Sequence, residues 1–319
     1  MLDSLKKQIS VAVAYPDLLP GAISSRLGLD RRSSYIFEHV DRLLREIEAD
    51  ETVTTRAAAV AGLRQLGLDD FAYMFWSMPH PQYPKLSGLL PSMASADVQR
   101  QWTGRSGVAL LLQTVAFVRS VAFQYVRLTG KPFHEVDMLD YGCGYGRIVR
   151  VMQYFTGEER IIGLDPWSES IRLCKQVMLP SNFLLSEYLP EDLPVGERRF
   201  DLIYAYSVFT HTSLKATLAA LAAIRKYIRD TGVLVVTVRP IEYWQFARHI
   251  PTKVSTQLER EHRSNGFAFR PHTGPGSNEY GDTSFSLEWL ARNCPDWKIR
   301  LVDRSLEDRM QLYVFLTPA

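Results

Sequence analysis

Apolar positions change their spacing once along this chain, and the change divides it. Ile36, Val40, Leu43, Leu44 and Ile47 recur at three- and four-residue steps, which predicts an amphipathic helix with Ser33 or Ser34 placed to cap its start. Ala57–Leu66 and Val108–Leu128 follow the same period. Between them, Met78-Pro79-His80-Pro81-Gln82-Tyr83-Pro84 and Leu90-Pro91-Ser92 read as connections, because proline lacks the amide hydrogen that a helix ladder needs. From Val136 onward the texture is different. Val136–Asp140, Arg160–Asp165, Asn182–Leu185, Asp201–Tyr206 and Gly232–Val238 are short apolar or β-branched runs, separated by helical stretches at Ile148–Tyr154, Ser168–Val177 and Leu214–Ile228. Strand and helix in alternation predict βαβ crossovers, and so an α/β, doubly wound parallel sheet. The last two runs, Trp297–Asp303 and Met310–Thr317, stand too close for a crossover helix and should form an antiparallel hairpin. Residues 1–130 are therefore read as a helical N-terminal region and 131–319 as the core, with a long insertion at 239–283 that has the character of a lid.

Composition sharpens this mainly by exclusion. Hydrophobic residues at 46% and charged residues at 23% are ordinary for a globular chain, which removes disorder and fibrous repeats. Lys and Arg number 37 against 35 Asp and Glu, a net charge of +2, so the electrostatic footprint of a nucleic-acid binder is missing. Cys143, Cys174 and Cys294 are three and widely spaced, with no CxxC pair, so neither a disulfide framework nor a zinc site is expected. The N-terminus has no signal-peptide pattern, and the apolar stretches Val108–Val126 and Leu214–Ile228 are interrupted by Arg, Gln or Lys. No membrane span is expected, and the location expected is the cytoplasm.

The densest chemistry is Asp140-Tyr141-Gly142-Cys143-Gly144-Tyr145-Gly146, which follows a strand and opens a helix. Such a turn lets a ligand approach the backbone and offers free amides at a helix start. The second strand ends in Asp165, spaced to accept hydrogen bonds from ribose hydroxyls. Dinucleotide sites use GxGxxG, whereas this turn is GxGxG with Asp140 two residues ahead of it. An ammonium-bearing ligand wants that acid; a pyrophosphate does not.

On these residues the chain resembles the class I S-adenosylmethionine-dependent methyltransferases over roughly Glu135–Ala319, including the fourth strand Phe200-Asp201-Leu202-Ile203-Tyr204-Ala205 and the segment Tyr206-Ser207-Val208-Phe209-Thr210-His211 that follows it. The resemblance implies a Rossmann-like seven-stranded sheet, S-adenosylmethionine as cofactor and S-adenosylhomocysteine as product. It also implies that Asp140, Gly142, Cys143, Gly144 and Gly146 hold the methionine end, Asp165 the ribose, and Pro166 and Trp167 the adenine side. Tyr206 and Ser207 are expected at the cofactor mouth. Many members carry an acid near the adenine after strand three; here that place is Leu189-Pro190, with Glu187 or Tyr188 as substitutes. Upstream, Thr103 and Arg105 in Gln101–Gly107 are expected to reach the methionine carboxylate, the alternative being that Thr103 or Ser106 is a local helix cap.

Methyl transfer to a hydroxyl needs alignment and, commonly, a base. His211 is the first candidate for that base, Tyr206 a pocket residue, and His272 and Tyr280 of the insertion the next candidates. The expected partner is a small-molecule or carbohydrate methyl acceptor. Nucleic-acid substrates are not expected, because Ala205-Tyr206-Ser207-Val208 replaces the Asn/Asp-Pro-Pro-aromatic run and Cys294-Pro295 reverses a Pro-Cys pair. No metal site is expected, since the metal-dependent catechol types place a carboxylate where Ala205 and Tyr206 stand. The rivals are a natural-product or small-acid methyltransferase, a non-catalytic cofactor-binding module, and a nicotinamide-dependent oxidoreductase. The N-terminal helices serve as a lid, a homodimer surface or both.

Overall fold

The computed structural model describes residues 36–177, 182–272 and 278–319. They fall into two compact units, divided along the chain between Leu111 and Leu112. The first is helical: α1 (Glu38–Ala49), α2 (Arg56–Leu63), α3 (Leu68–Ser77), α4 (Pro84–Leu89), α5 (Ala96–Thr103) and the opening of α6 (Val108–Thr129). Ser33 and Ser34 lie outside the described residues, and Phe37 holds the N-cap position of α1 without a side-chain bond. Between the two proline segments read as connections lies a helix, α4, with Pro84 at its first turn, where a missing amide costs nothing. Its free amides at Lys85 and Leu86 donate to the Glu48 carboxylate at 3.0 and 2.6 Å, so a distant acid caps it. That cap is invisible to local spacing.

The second unit carries most of α6 and the sheet. Its elements run β1 (Met138–Tyr141), α7 (Arg147–Met152), β2 (Ile161–Asp165), α8 (Ser168–Val177), β3 (Phe183–Leu185), β4 (Phe200–Ala205), α9 (Leu214–Arg225) and β5 (Ile228–Val238). There follow α10 (Tyr243–Phe246), α11 (Thr252–Asn265), β6 (Phe267–Pro271), β7 (Gly281–Phe285), α12 (Leu287–Asn293), β8 (Trp297–Arg304) and β9 (Leu312–Pro318). The seven-stranded sheet has the order β3-β2-β1-β4-β5-β9-β8. Strands β1 to β5 are parallel, whereas β9 is antiparallel to both its neighbours, β5 and β8. Every residue of β1, β2 and β4 is buried, as central strands covered on both faces must be. The strand order reverses direction between β1 and β4, and the carboxyl ends of these strands form the crevice where doubly wound sheets bind ligands.

Two expectations are corrected here. β5 begins at Ile228, four residues before Gly232, because a register shift lets Ile228 pair with Phe200 while Val233 pairs with Leu202. The 239–283 insertion is not an irregular loop: α10, α11 and the β6–β7 hairpin build it around buried Trp244, Ile250, Leu258 and Ala268. β7 also bonds the chain after β4, with Gly281 N–H donating to His211 O at 2.8 Å and Thr283 N–H to Thr210 O at 2.9 Å. α6 is long and apolar enough to cross a membrane, but it carries Arg119 and Arg127 and buries Val115, Phe117, Val118, Val121 and Tyr125. It has the character of a core helix.

Candidate active site

The site starts at the end of β1. Asp140 is 1% exposed, and its Oδ2 has no hydrogen-bond partner in the protein. Burial pushes this carboxyl well above the usual range, against the pull of the Arg147 guanidinium. A buried acceptor without a donor is costly, and an ammonium group would supply the donor. The turn that follows is pinned to β2, since the amides of Gly142 and Cys143 both donate to Leu164 O at 2.7 and 2.8 Å. Gly142 has φ +78°, and a Cβ there would lie 2.3 Å from Val208 Cγ2. Gly144 (φ +54°) faces open space. Between them the turn leaves room for a ligand against the backbone.

Asp165 closes the second side. Its carboxylate accepts from Gly144 N–H and Trp167 N–H, both at 2.9 Å. Burial raises its pKa, and those amides together with the Ser170 hydroxyl oppose the rise. Trp167 and Tyr188 stand half-exposed beyond it, and Tyr188 feels the Asp165 charge. An ammonium for Asp140, hydroxyls for Asp165 and a planar group beside Trp167 are what S-adenosylmethionine offers, so these residues fit that cofactor. When bound it supplies a methyl group activated on a sulfonium; the protein's part is to hold and align it.

Tyr206 and Ser207 follow β4. The Tyr206 ring lies under the Arg147 guanidinium, 5.0 Å to the ring centre, and edge-on to Phe117; its hydroxyl donates to Asp308 at 3.0 Å. Arg147 also donates to Gln113 and Thr114 of α6 at 3.1 and 2.7 Å. Tyr206 therefore ties α6, α7 and the turn between β8 and β9 together, with its phenol occupied. Ser207 has φ +61°, unusual for a residue with a Cβ, and its amide donates to Thr237 Oγ1 at 2.7 Å. This bend turns the chain across the strand ends toward His211. Thr103 belongs to the helical unit, where its hydroxyl donates to Gln99 O at 2.7 Å at the end of α5.

Beyond Ser207, residues from β4, β5 and the insertion converge on Asp282 of β7, which is 2% exposed. Its Oδ1 accepts from Arg239 at 2.8 Å and Tyr243 at 2.7 Å; its Oδ2 accepts from Nε2 of His249 at 3.1 Å and of His272 at 3.2 Å. Burial alone would raise this carboxyl, but Arg239 and the donors hold it well below the usual range. His211 is fixed on both sides. A carbonyl can only accept, so Nδ1–H donates to Gly281 O at 2.6 Å, and Nε2 then accepts from Arg239 at 3.0 Å. Burial, and then Arg239, push its pKa down to about 3, so this imidazole is neutral. Tyr280 stacks on it at 5.2 Å, and His272 meets Tyr280 edge-on at 5.4 Å. Tyr280 is also close enough to feel Asp165 and Tyr188, which links this cluster to the cofactor side. His211, His272 and Asp282 have the composition of a metal site, with ligand atoms within 4.8 Å of one another, but the Arg239 guanidinium already fills the cation's place between His211 and Asp282.

Asp140, the glycine turn, Asp165, His211, His272 and Tyr280 were named from the sequence as candidates; Asp282 was not. An acid inside the otherwise inward-facing run Gly281–Phe285 was its available signal. Arg147, Val208 and Asp308 were likewise not singled out.

Residues 138–232 match the family described as a methyltransferase domain. That segment is a methyltransferase domain, and its acid–glycine turn and Asp165 fit S-adenosylmethionine as the cofactor. Among solved structures, the chain is similar to magnesium protoporphyrin IX methyltransferase from Synechocystis PCC 6803 (14% identity, 70% of this chain and 94% of that one, TM-score 0.46). It is similar too to a methyltransferase from Clostridium acetobutylicum ATCC 824 (11%, 70% and 97%, TM-score 0.45) and to the glycopeptide N-methyltransferase MtfA (9%, 65% and 94%, TM-score 0.45). No curated protein matches the chain. The fold rests on the strand order above rather than on these distant likenesses.

Proposed function

We propose that the enzyme methylates an oxygen atom of a small-molecule or carbohydrate acceptor, bound under the insertion against Tyr280 and His272. The carrying observation is the saturation of Asp282: with four donors on one carboxylate, the Arg239 guanidinium among them, this acid is not open to an ammonium acceptor. Tyr280 is 44% exposed and offers an aromatic face, and imidazoles stand beside it, a setting suited to a sugar ring or another hydroxylated acceptor. The protein's work in the reaction is then to fix the acceptor oxygen in line with the methyl carbon at roughly 3–3.5 Å.

The test has two stages. S-Adenosylhomocysteine should raise the melting temperature and NAD should not; the reverse ranking would favour a nicotinamide enzyme. Methyl-labelled S-adenosylmethionine is then offered with monosaccharides, nucleotide sugars, phenols, carboxylic acids and amines. O-methyl ethers support the reading; label on nitrogen or sulfur sinks it, and methyl esters alone would favour the small-acid reading.

A further inference from the structure

Three imidazoles surround the acceptor side, and their hydrogen bonds assign them different capacities. His211 is spent: its Nδ1–H serves Gly281 O and its Nε2 lone pair is taken by Arg239. His249 and His272 are not, because each gives Nε2–H to Asp282 and so, when neutral, keeps a lone pair on Nδ1. Of these two, only His272 touches Tyr280, the residue that feels Asp165. Its backbone N–H also donates to Tyr280 O at 3.0 Å, so ring and backbone fix its place together.

We infer that His272, oriented by Asp282, takes the proton of the acceptor hydroxyl during methyl transfer. This rests on oxygen being the acceptor atom. The oxygen–carbon bond forms as the carbon–sulfur bond breaks, its electron pair remaining on sulfur; the hydroxyl proton passes to His272 Nδ1 and then to water. Asp282 is a positioning residue. It selects the Nε2–H tautomer and stabilises the imidazolium, as carboxylates paired with catalytic histidines do. Arg239 and Tyr243 hold the other oxygen of Asp282, so the carboxylate cannot turn away. The groups around His272 are Asp282 at its Nε2; His211 and Tyr280 at its ring; Arg270, two residues before it and paired with Asp282; and Arg239, Tyr243 and His249 on Asp282.

The tautomer is read directly by long-range proton–nitrogen NMR on the full chain labelled with ¹⁵N-histidine and bound to S-adenosylhomocysteine, with His272→Gln giving the assignment. A bare Nδ1 and protonated Nε2 are expected; a protonated Nδ1 overturns the inference. With a hydroxyl acceptor, His272→Gln should lower kcat by about 10²- to 10⁴-fold, leaving S-adenosylhomocysteine affinity unchanged. A variant as fast as wild type on a methylated hydroxyl removes His272 as base and leaves the oxygen reading standing. Methylation of nitrogen or sulfur alone removes the oxygen reading itself. Titration with Zn²⁺ or Mn²⁺ adds a further check: one equivalent bound by wild type and lost in His272→Gln would make the imidazole a metal ligand and overturn the proposal.

Discussion

Asp140→Asn separates what the fold wants from what the cofactor wants. In the free protein, burial raises the carboxyl's pKa above the value of about 3.9 that it has in an unfolded chain. The folded state therefore binds more protons than the unfolded state between those two values, and stability falls as pH rises through that window. Above it the protein carries the full cost of a buried carboxylate whose Oδ2 lacks a donor. Asparagine keeps the shape and removes the charge. Without cofactor, the variant's melting temperature at pH 8 should equal or exceed the wild type's, and its slope with pH should flatten on the alkaline side of pH 4. Affinity should move the other way. A hydrogen bond to a charged group is worth about 1.5–3 kcal/mol, so the variant should bind S-adenosylhomocysteine about 10- to 100-fold more weakly. Calorimetry in buffers of different ionisation enthalpy adds a third reading: wild type should release a proton on binding near the raised pKa, and the variant should not. An Asp140→Asn protein that folds and binds S-adenosylhomocysteine as tightly as wild type would refute the assignment of this carboxylate to the ligand's ammonium.

Gly142→Ala should lower the melting temperature and weaken S-adenosylhomocysteine binding, through overlap with Val208 Cγ2 and a left-handed φ together costing about 2–5 kcal/mol. Adding Val208→Ala should restore only part, because the backbone strain remains; full rescue would show that the overlap alone matters. Asp282→Asn leaves the Arg239 guanidinium without its buried partner, a loss of about 3–5 kcal/mol, or roughly 6–20 °C in melting temperature by scanning calorimetry. Because the folded pKa of Asp282 is depressed, its contribution is complete above about pH 4 and disappears as pH falls below that, so the gap between variant and wild type should narrow in acid. A gap independent of pH would assign the loss to packing instead.

The parallel half of the sheet was legible because each strand is short, apolar and followed by a helix, and the glycine turn was legible because its chemistry is local. Asp140 and Asp165 could be placed for the same reason: each ends a strand, and strand ends are where such a sheet binds. The insertion was not legible. β6 and β7 alternate weakly, β7 bonds on its other side to the distant segment at 210–213, and α10 and α11 are stabilised by a small core of their own. His211 illustrates the limit most sharply. Its position after β4 could be read from the sequence, but its protonation and occupancy are set by Gly281 and Arg239, which arrive from elsewhere in the chain.

β9 is the last strand of the sequence yet sits inside the sheet, hydrogen-bonded on both sides. The strands that carry the site can pair with one another before β9 is made, but β5 then presents Leu234, Val235 and Val236 along an open edge. That edge is a template for any extended chain until residues 312–318 cover it. Shortening the chain by those residues would leave the cofactor turn and Asp165 intact in sequence while exposing β5 and stranding β8 without a neighbour. The fate of such a truncation should be decided by aggregation rather than by lost chemistry.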